Sequence, residues 1–460
     1  AFATSLATFV NLLAGSSANF DVSLLTDVYG SFQGLLSLSL SDEDLLGEIA
    51  DLQLSISLQG VVALAGDANL DEIVSFADFL ALQTLWQGSP EHECPLYPPG
   101  SPPLLYAVTA GDTPFRFSLH AGDIGHTLIF GPTGAGKTFL MATIAMQALR
   151  YPRMQIWAFD FKRGLRATAK ACGGDHYDIG TGTGPSFCPL GMLDTADDVA
   201  FAEDWIATCF ELQTHRPPSP VETREIHLAV DLLRGSPHRT VSDFVSTVQD
   251  PSVKLALSYY TLTGSTGRML DAERDGLRDG GHLVCFETED FLAYPEATRL
   301  PIMLYLFRRF ERGLDGRPAM LMLSEAWSVL NNAVFARRLG VWLRTLRSKN
   351  CAVLLETQSL ADTLGSNIAS LLNESCQTKI FLPNSSADQT GTADSPGPRD
   401  LYRMLGLTDD DVLIIRGAIP KRDYYAVSER GRRLFCLAPG PAPHSCSART
   451  RIPSSPPRRT

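Results

Sequence analysis

The chain has 460 residues, of which 44% are hydrophobic and 20% charged, and its formal net charge is -12. A chain of this length and composition is long enough for two or three globular domains, each with its own core. The negative charge excludes a protein that wraps nucleic acid over its whole surface, because phosphate contact requires clustered positive charge. Any contact with DNA must therefore be local.

Cysteine spacing and hydropathy indicate the cellular compartment in which the protein is expected. The nine cysteines are scattered without a CxxC pair, which fits neither a zinc site nor a secreted disulfide framework. No run of eighteen or more apolar residues occurs, so we expect no membrane span in this sequence. Ala1–Gly15 is apolar but lacks the cationic start of a secretory signal, so we expect a core segment or a truncation edge, and the missing initiator Met favours truncation. We expect a protein of the reducing cytoplasm.

Residues 1–95 are acidic and rich in Leu and Ser, and we expect them to form a small, mostly helical N-terminal region, truncated or diverged. A proline cluster at 95–103 predicts a linker after it. Within this region, Asp67–Asp78 spaces oxygen ligands as in a calcium loop and resembles a single dockerin-like repeat. Glu72 stands where such a loop needs Gly, so a plain acidic helix is the alternative interpretation.

From Leu104 onward, short β-rich runs alternate with helical periods, which predicts a parallel sheet covered by helices over residues 96–440. A polar, mostly helical insert at about 190–280 predicts a lid or subdomain. The predicted strands are His126–Phe130, Gln155–Asp160, His282–Glu287, Met320–Leu323, Ala352–Glu356 and Lys379–Leu382. Beyond them the sequence predicts a loop at 384–399, a short helix at Leu401–Leu407, a hairpin of Tyr424–Val427 with Arg433–Cys436, and a disordered basic tail at 441–460.

The segment Gly131-Pro-Thr-Gly-Ala-Gly-Lys137-Thr138 matches GxxxxGK[ST], between an apolar run and a helix-forming run, Phe139–Leu149. This strand–loop–helix context is what a phosphate-binding loop requires, because the main-chain N–H groups and the helix N-terminus then face the phosphates. Lys137 is expected to neutralise the β and γ phosphates of ATP, and Thr138 to bind Mg²⁺. The residues predicted to bind ATP are Gly131, Pro132, Thr133, Gly134, Ala135, Gly136, Lys137 and Thr138.

The apolar run ending in Ser324-Glu325 stands where P-loop motors usually carry Asp-Glu. Glu325 is the candidate general base, because a Glu at the end of a strand is placed to orient or deprotonate the attacking water. Ser324 can hydrogen-bond a water of the Mg²⁺ shell but supplies no charge, so metal affinity and turnover are in question. A strand end with a solvated Glu is the structural alternative.

Gln358 and Arg347 complete the predicted catalytic set. Gln358 follows the next predicted strand, where its amide can contact both water and the γ phosphate and so report on phosphate; an ordinary helix cap at Gln358-Ser359 is the alternative. Arg337, Arg338, Arg344 and Arg347 lie on one run whose charges mostly predict a solvated face. Arg347 is the favoured candidate for an arginine finger that reaches a neighbouring subunit.

With these residues in place, the chain resembles the TrbE-type ATPases of conjugative type IV secretion systems, a branch of the hexameric RecA-like P-loop motors. The resemblance covers about residues 95–440 and rests on Pro102–Gly111, Gly125–Thr138, Glu325–Trp327, Asn350–Val353, Thr357–Leu360, Thr378–Asn384 and Pro420–Val427. It implies an α/β fold with a RecA-like core, ATP and Mg²⁺ as cofactors, and a motor that energises channel or pilus assembly and transfer. The implied partners are other subunits of the ring and channel components at the bacterial inner membrane, where the protein is expected to be cytoplasmic and peripheral.

Three departures from this family keep other hypotheses open. Ser324 replaces the family's aspartate, the region before the motor is short, and Asp160-Phe-Lys-Arg-Gly164 stands where the family usually has Asp-Lys-Gly-Arg. They indicate a fragment, a degenerate copy or a diverged member. Besides an ATP-hydrolysing motor, the sequence therefore allows a nucleotide-binding structural subunit that hydrolyses little. A DNA-translocating ATPase of the coupling-protein kind is a third hypothesis, which the acidic balance disfavours.

Overall fold

The computed structural model describes residues 103–437, apart from 110–112, 123, 181–183, 279, 326–332, 367 and 393–394, and the backbone of four strands nearer the N-terminus. The chain divides into two compact units, Ala1–Gln87 and Gly88–Thr460. Residues 441–460 and the Asp67–Asp78 segment lie outside the described residues.

The described residues of the first unit are strands, so the prediction of a mostly helical region is wrong for them. β1 (Phe2–Thr4) pairs antiparallel with β2 (Val22–Leu24), and β3 (Gly30–Leu40) pairs antiparallel with β4 (Leu52–Val62). Leu or Ile alternates with Ser or Gln along residues 52–59, and Leu alternates with Ser along 36–40. This period of two residues is the pattern of a strand, and it carries more information than the Leu- and Ser-rich composition.

The second unit is built on one sheet of eleven described strands, in the order β6-β5-β15-β14-β13-β7-β12-β11-β8-β10-β9. The strands are β5 (Leu105–Thr109), β6 (Pro114–Phe117), β7 (Thr127–Phe130), β8 (Gln155–Asp160), β9 (Asp175–Asp178), β10 (Leu283–Glu287), β11 (Ala319–Ser324), β12 (Cys351–Thr357), β13 (Thr378–Phe381), β14 (Asp423–Ser428) and β15 (Gly431–Cys436). The seven strands from β13 to β9 are parallel, and β14, β15, β5 and β6 extend the sheet as antiparallel neighbours. All six predicted strands and the predicted hairpin, β14–β15, are present.

Helices cover both faces of this sheet. They are α1 (Lys137–Ala148), α2 (Arg166–Ala171), α3 (Ala196–Thr214), α4 (Pro220–Arg234), α5 (Val241–Thr247), α6 (Pro251–Ser258), α7 (Gly267–Leu270), α8 (Glu289–Leu292), α9 (Glu296–Arg312), α10 (Ala333–Thr345), α11 (Leu360–Gly365), α12 (Ala369–Ser375), α13 (Pro398–Met404) and α14 (Asp409–Gly417), with a 3-10 turn at Arg347–Lys349. In the portion of the chain that the structure describes, no helix is both long and apolar enough to cross a membrane.

The central strands are buried on both faces, which explains why they are continuous apolar runs. In β11, Leu321 and Leu323 belong to one hydrophobic cluster, whereas Met320 and Met322 belong to a second cluster on the other face. Parallel strands covered on both sides lack the alternation of half-exposed strands. The predicted α/β, P-loop type fold is confirmed.

The helical insert, α3 to α7, packs against α9 through α3. The carboxylate of Asp198, which is buried, pairs with Arg308 at 2.8 Å and Arg312 at 3.0 Å, both on α9. Trp205 Nε1 donates to the carbonyl oxygen of Pro301 at 2.9 Å. A buried carboxylate between two cations, together with a buried indole, anchors α3 to α9.

Candidate nucleotide-binding site

The glycine-rich loop joins β7 to α1, as its motif requires. Gly134 and Gly136 have φ angles of 84° and 114°, which a residue with a Cβ rarely adopts. The loop also packs against the turn before β14: Lys421 N donates to Ala135 O at 2.8 Å, and a Cβ on Gly136 would lie 2.9 Å from Lys421 Cα. The N-terminal N–H groups of α1 therefore lie at the carboxyl edge of the sheet, where they favour the binding of an anion.

Lys137 lies at the centre of the site, and its ammonium group already has oxygen partners there. Its Nζ donates to the carbonyl oxygens of Gly131 at 2.8 Å and Pro132 at 3.3 Å. The same atom lies 3.5 Å from Glu356 Oε1, and both side chains are nearly inaccessible. The ammonium group is thus held beside the loop by acceptors that phosphate oxygens can replace.

Glu356 is a candidate functional residue that the motifs do not single out. It stands directly opposite Ser324 in the parallel pair of β11 and β12, and the Ser324 hydroxyl hydrogen-bonds its carboxylate. Burial raises the pKa of this carboxyl above its usual range, and the nearby Lys137 ammonium opposes that rise. The available sequence signal is a charged residue inside an otherwise apolar strand, Cys351–Leu355, because a buried charge is costly without a specific partner.

Three side chains predicted to act at the site form one hydrogen-bonded chain. The Thr133 hydroxyl donates to Gln358 Oε1, and Gln358 Nε2 donates to Glu325 Oε1. Glu325 has a φ of 52°, an uncommon conformation for a residue other than Gly that often accompanies functional strain. Gln358 thus connects the phosphate loop to the candidate general base, which the sequence alone cannot establish.

These residues surround a cavity of about 550 Å³. The donors that face it and suit Mg²⁺ are all oxygen atoms: the hydroxyls of Thr138 and Ser324 and the carboxylates of Glu325 and Glu356. Hard cations such as Mg²⁺ prefer this chemistry, so the site fits the predicted metal. None of the described residues that line this cavity belongs to the helical insert.

The Asp160–Gly164 segment, one of the departures from the family pattern, forms a wall of the site. A Cβ on Gly164 would lie 2.6 Å from Thr138 Cγ2 and 3.2 Å from Asp160 Oδ1, so only Gly allows this approach. Burial, with smaller contributions from Glu287 and Glu356, raises the pKa of Asp160 to about 8. Leu165 N donates to Asp160 Oδ2 at 2.7 Å. Asp160 is therefore a second buried acid close to Thr138.

Asp160 also belongs to a mixed cluster with His176 and Cys285, whose ligand atoms all lie within 4.8 Å of one another. Complete burial raises the pKa of the Cys285 thiol well above its ordinary value. The thiol is therefore protonated at neutral pH, whereas metal binding requires the thiolate. The cavity around Thr138 is the better placed cation site.

Arg347 is not brought to the phosphate loop of its own chain. It lies in the exposed turn Arg347–Lys349 just before β12, whereas Glu356 and Gln358 follow from the opposite end of that strand. Arg337 and Arg344 of α10 are exposed as well, in agreement with a solvated face. A role for Arg347 therefore requires a neighbouring subunit.

Two relatives named as conjugal transfer proteins show which family the chain resembles. No family model matches the chain. The chain is 45% identical over 372 residues to a probable TrbE conjugal transfer protein of Sinorhizobium fredii, covering 80% of this chain and 55% of that protein. It is 46% identical over 374 residues to the conjugal transfer protein TrbE of Rhizobium radiobacter, covering 80% of this chain and 44% of the relative.

A solved structure supports the fold independently. The VirB4 structure of Thermoanaerobacter pseudethanolicus superposes with a TM-score of 0.58 at 15% identity, over 75% of this chain and 98% of that one. The chain spans about half the length of the two TrbE relatives. The predicted resemblance is confirmed, and over four fifths of its length this chain is a relative of the TrbE-type conjugal transfer proteins with the fold of a P-loop ATPase.

Proposed function

We propose that this chain binds ATP with Mg²⁺ and hydrolyses it as a motor subunit of a conjugative type IV secretion system. One observation carries the proposal: Lys137, Gln358 and Glu325 converge with the phosphate loop on a single cavity. Such a set can bind a triphosphate, orient a water and respond to the loss of phosphate.

The proposed chemistry divides among named groups. The loop N–H groups and the Lys137 ammonium bind the phosphates, while Glu325 orients or deprotonates the attacking water. Gln358, hydrogen-bonded to Thr133 and Glu325, couples the phosphate loop to that water. Bound Mg²⁺ supplies positive charge to the phosphate oxygens, and Thr138 and Ser324 are the residues predicted to hold it.

The partners follow from the relatives and from Arg347. The relatives are named as conjugal transfer and type IV secretion proteins, so we propose channel components at the inner membrane as partners, and a peripheral cytoplasmic location. The position of Arg347, away from its own phosphate loop, supports a ring in which one subunit completes the site of the next.

The proposal is tested by measuring ATP affinity and phosphate release separately, with and without Mg²⁺. We expect Lys137→Ala to lose most ATP binding and turnover, because the side chain that neutralises the phosphates is gone. Lys170→Ala, an exposed lysine on α2, is the matched control and should behave as the parent. If the parent takes up no ATP at millimolar concentration, or if Lys137→Ala turns over as fast as the parent, the proposal is wrong.

A nucleotide-binding structural subunit is the second candidate, because the Ser324 hydroxyl carries no charge. It predicts that the parent binds ATP with little turnover and that Ser324→Asp raises turnover by about tenfold or more, the scale of one preorganised charge. No change in turnover counts against it. Stimulation that grows with DNA length would instead favour a DNA-translocating ATPase.

A further inference from the structure

The site has a deficit of negative charge at one position. P-loop motors place an aspartate where this chain has Ser324, and the hydroxyl of Ser324 leaves the metal side of the cavity without that carboxylate. The neighbouring strand carries a buried carboxylate directly opposite Ser324, that of Glu356. Glu356 is 5% exposed and lies in the middle of the sheet, between β7 and β11.

Strand register brings this carboxylate to the missing position. Ser324 and Glu356 are direct partners in the parallel pair of β11 and β12, so their side chains leave the same face on strands about 4.8 Å apart. The hydrogen bond between the Ser324 hydroxyl and the Glu356 carboxylate shows that the longer Glu side chain reaches its neighbour's position. Both residues line the cavity together with Thr138.

Charge balance indicates what Glu356 binds when nucleotide is present. Without nucleotide, the described cation beside it is Lys137, at 3.5 Å. Once the ammonium group binds phosphate oxygens, the buried carboxylate keeps its charge only if another cation lies beside it, because an uncompensated buried charge costs several kcal/mol. A divalent cation held by Thr138 and the phosphates satisfies that need from the same cavity.

We infer that Glu356 replaces the absent aspartate of β11, so that the carboxylate that anchors the hydrated Mg²⁺ has moved one strand across the sheet. This inference rests on the proposed nucleotide binding and deepens it. It explains how a chain with Ser324 retains a metal site built from a hydroxyl, Thr138, and one buried carboxylate. Ser324 then acts as a positioning residue, whose hydroxyl donates a hydrogen bond to the Glu356 carboxylate.

The test measures metal dependence rather than turnover. Calorimetry gives the Kd of ADP in Mg²⁺ and in EDTA for the parent, Glu356→Gln, the double variant Ser324→Asp/Glu356→Ala, and Glu374→Gln, an exposed control on α12. Electron paramagnetic resonance of Mn²⁺ reports metal binding in the presence of ADP. Loss of a group that holds a metal's shell typically lowers metal affinity by about 10–100-fold, and we expect that loss in Glu356→Gln, with ADP affinity in EDTA unchanged or tighter.

The double variant distinguishes a metal role from a role in holding Lys137. Because Asp at position 324 restores the carboxylate to β11, the double variant should recover the Mg²⁺ dependence of the parent. A parent-like Mg²⁺ dependence in Glu356→Gln overturns the inference, and so does a double variant that fails to recover. If Glu356→Gln does not fold by circular dichroism, the double variant alone decides. Failure of the parent to bind ADP or ATP would refute the proposed function instead.

Discussion

The two glycines with positive φ in the phosphate loop provide a matched pair of substitutions. Gly134 and Gly136 have φ angles of 84° and 114°, so Ala at either position costs about 1–2 kcal/mol in backbone strain. Nothing lies within 4 Å of a Cβ on Gly134, whereas a Cβ on Gly136 would lie 2.9 Å from Lys421 Cα. Since carbon atoms pack at about 3.5–4.0 Å, Gly136→Ala must displace the Lys421 turn, and such overpacking adds about 1–3 kcal/mol.

Thermal unfolding without nucleotide measures the difference. At about 2 °C per kcal/mol for a large domain, we expect the Tm to fall by about 2–4 °C in Gly134→Ala and by about 4–10 °C in Gly136→Ala. Gly136→Ala should also bind ADP more weakly, because displacement of the Lys421 turn also shifts the phosphate loop that packs against it. Equal shifts in the two variants would refute the packing of the loop against Lys421.

Three further predictions concern the sensor, the ring and a buried histidine. Gln358→Ala should lower the turnover of ATP by about 100-fold while ADP affinity stays close to the parent's, since the lost contact acts on the reacting water. Phosphate-release assays measure turnover and calorimetry measures ADP affinity; an equal loss of turnover and affinity would contradict the prediction. Arg347→Ala and Lys137→Ala should each be inactive but regain phosphate release when mixed, because each supplies what the other lacks; no recovery in mixed assemblies would count against an arginine finger. His126 is buried, its Nε2 contacts Leu343 O at 3.0 Å, and burial is the main cause that lowers its pKa to about 4. Its contribution to the free energy of unfolding is therefore fully present above the unfolded pKa of about 6.5, and about 3 kcal/mol is lost as the pH drops to 4. Urea unfolding at pH 7 and pH 5 should show a steeper loss in the parent than in His126→Gln, and parallel losses would argue against it.

Local patterns predicted the elements that carry the chemistry. The strands before the phosphate loop and before Ser324 are continuous apolar runs because both faces of the sheet are covered, and the GxxxxGK[ST] motif lies between a strand and a helix, as its geometry demands. The short helix predicted at Leu401–Leu407 begins earlier, at Pro398, where a proline suits the first turn. The Leu- and Ser-rich composition of the first unit predicts helix, whereas the alternation of apolar and polar residues in β3 and β4 is the pattern of strands.

Elements that depend on distant partners escaped prediction. β5 lies between β6 and β15 and pairs antiparallel with both, with Thr109 as the partner of Phe435 in β15. β9 has half-buried polar residues and pairs with β10 at the edge of the sheet. Neither strand has a local pattern strong enough to distinguish it from a loop.

The sequence by itself determined the phosphate loop, the residue types at the ends of β11 and β12, and the α/β class, because each depends on neighbours within a few residues. Only the tertiary structure decided that β12 lies between β7 and β11. That strand order, which is a property of long-range hydrogen bonding, brings Glu356 beside Ser324 and Lys137 and places Gln358 between Thr133 and Glu325. The carboxylate that this site lacks in one strand is therefore found in the next.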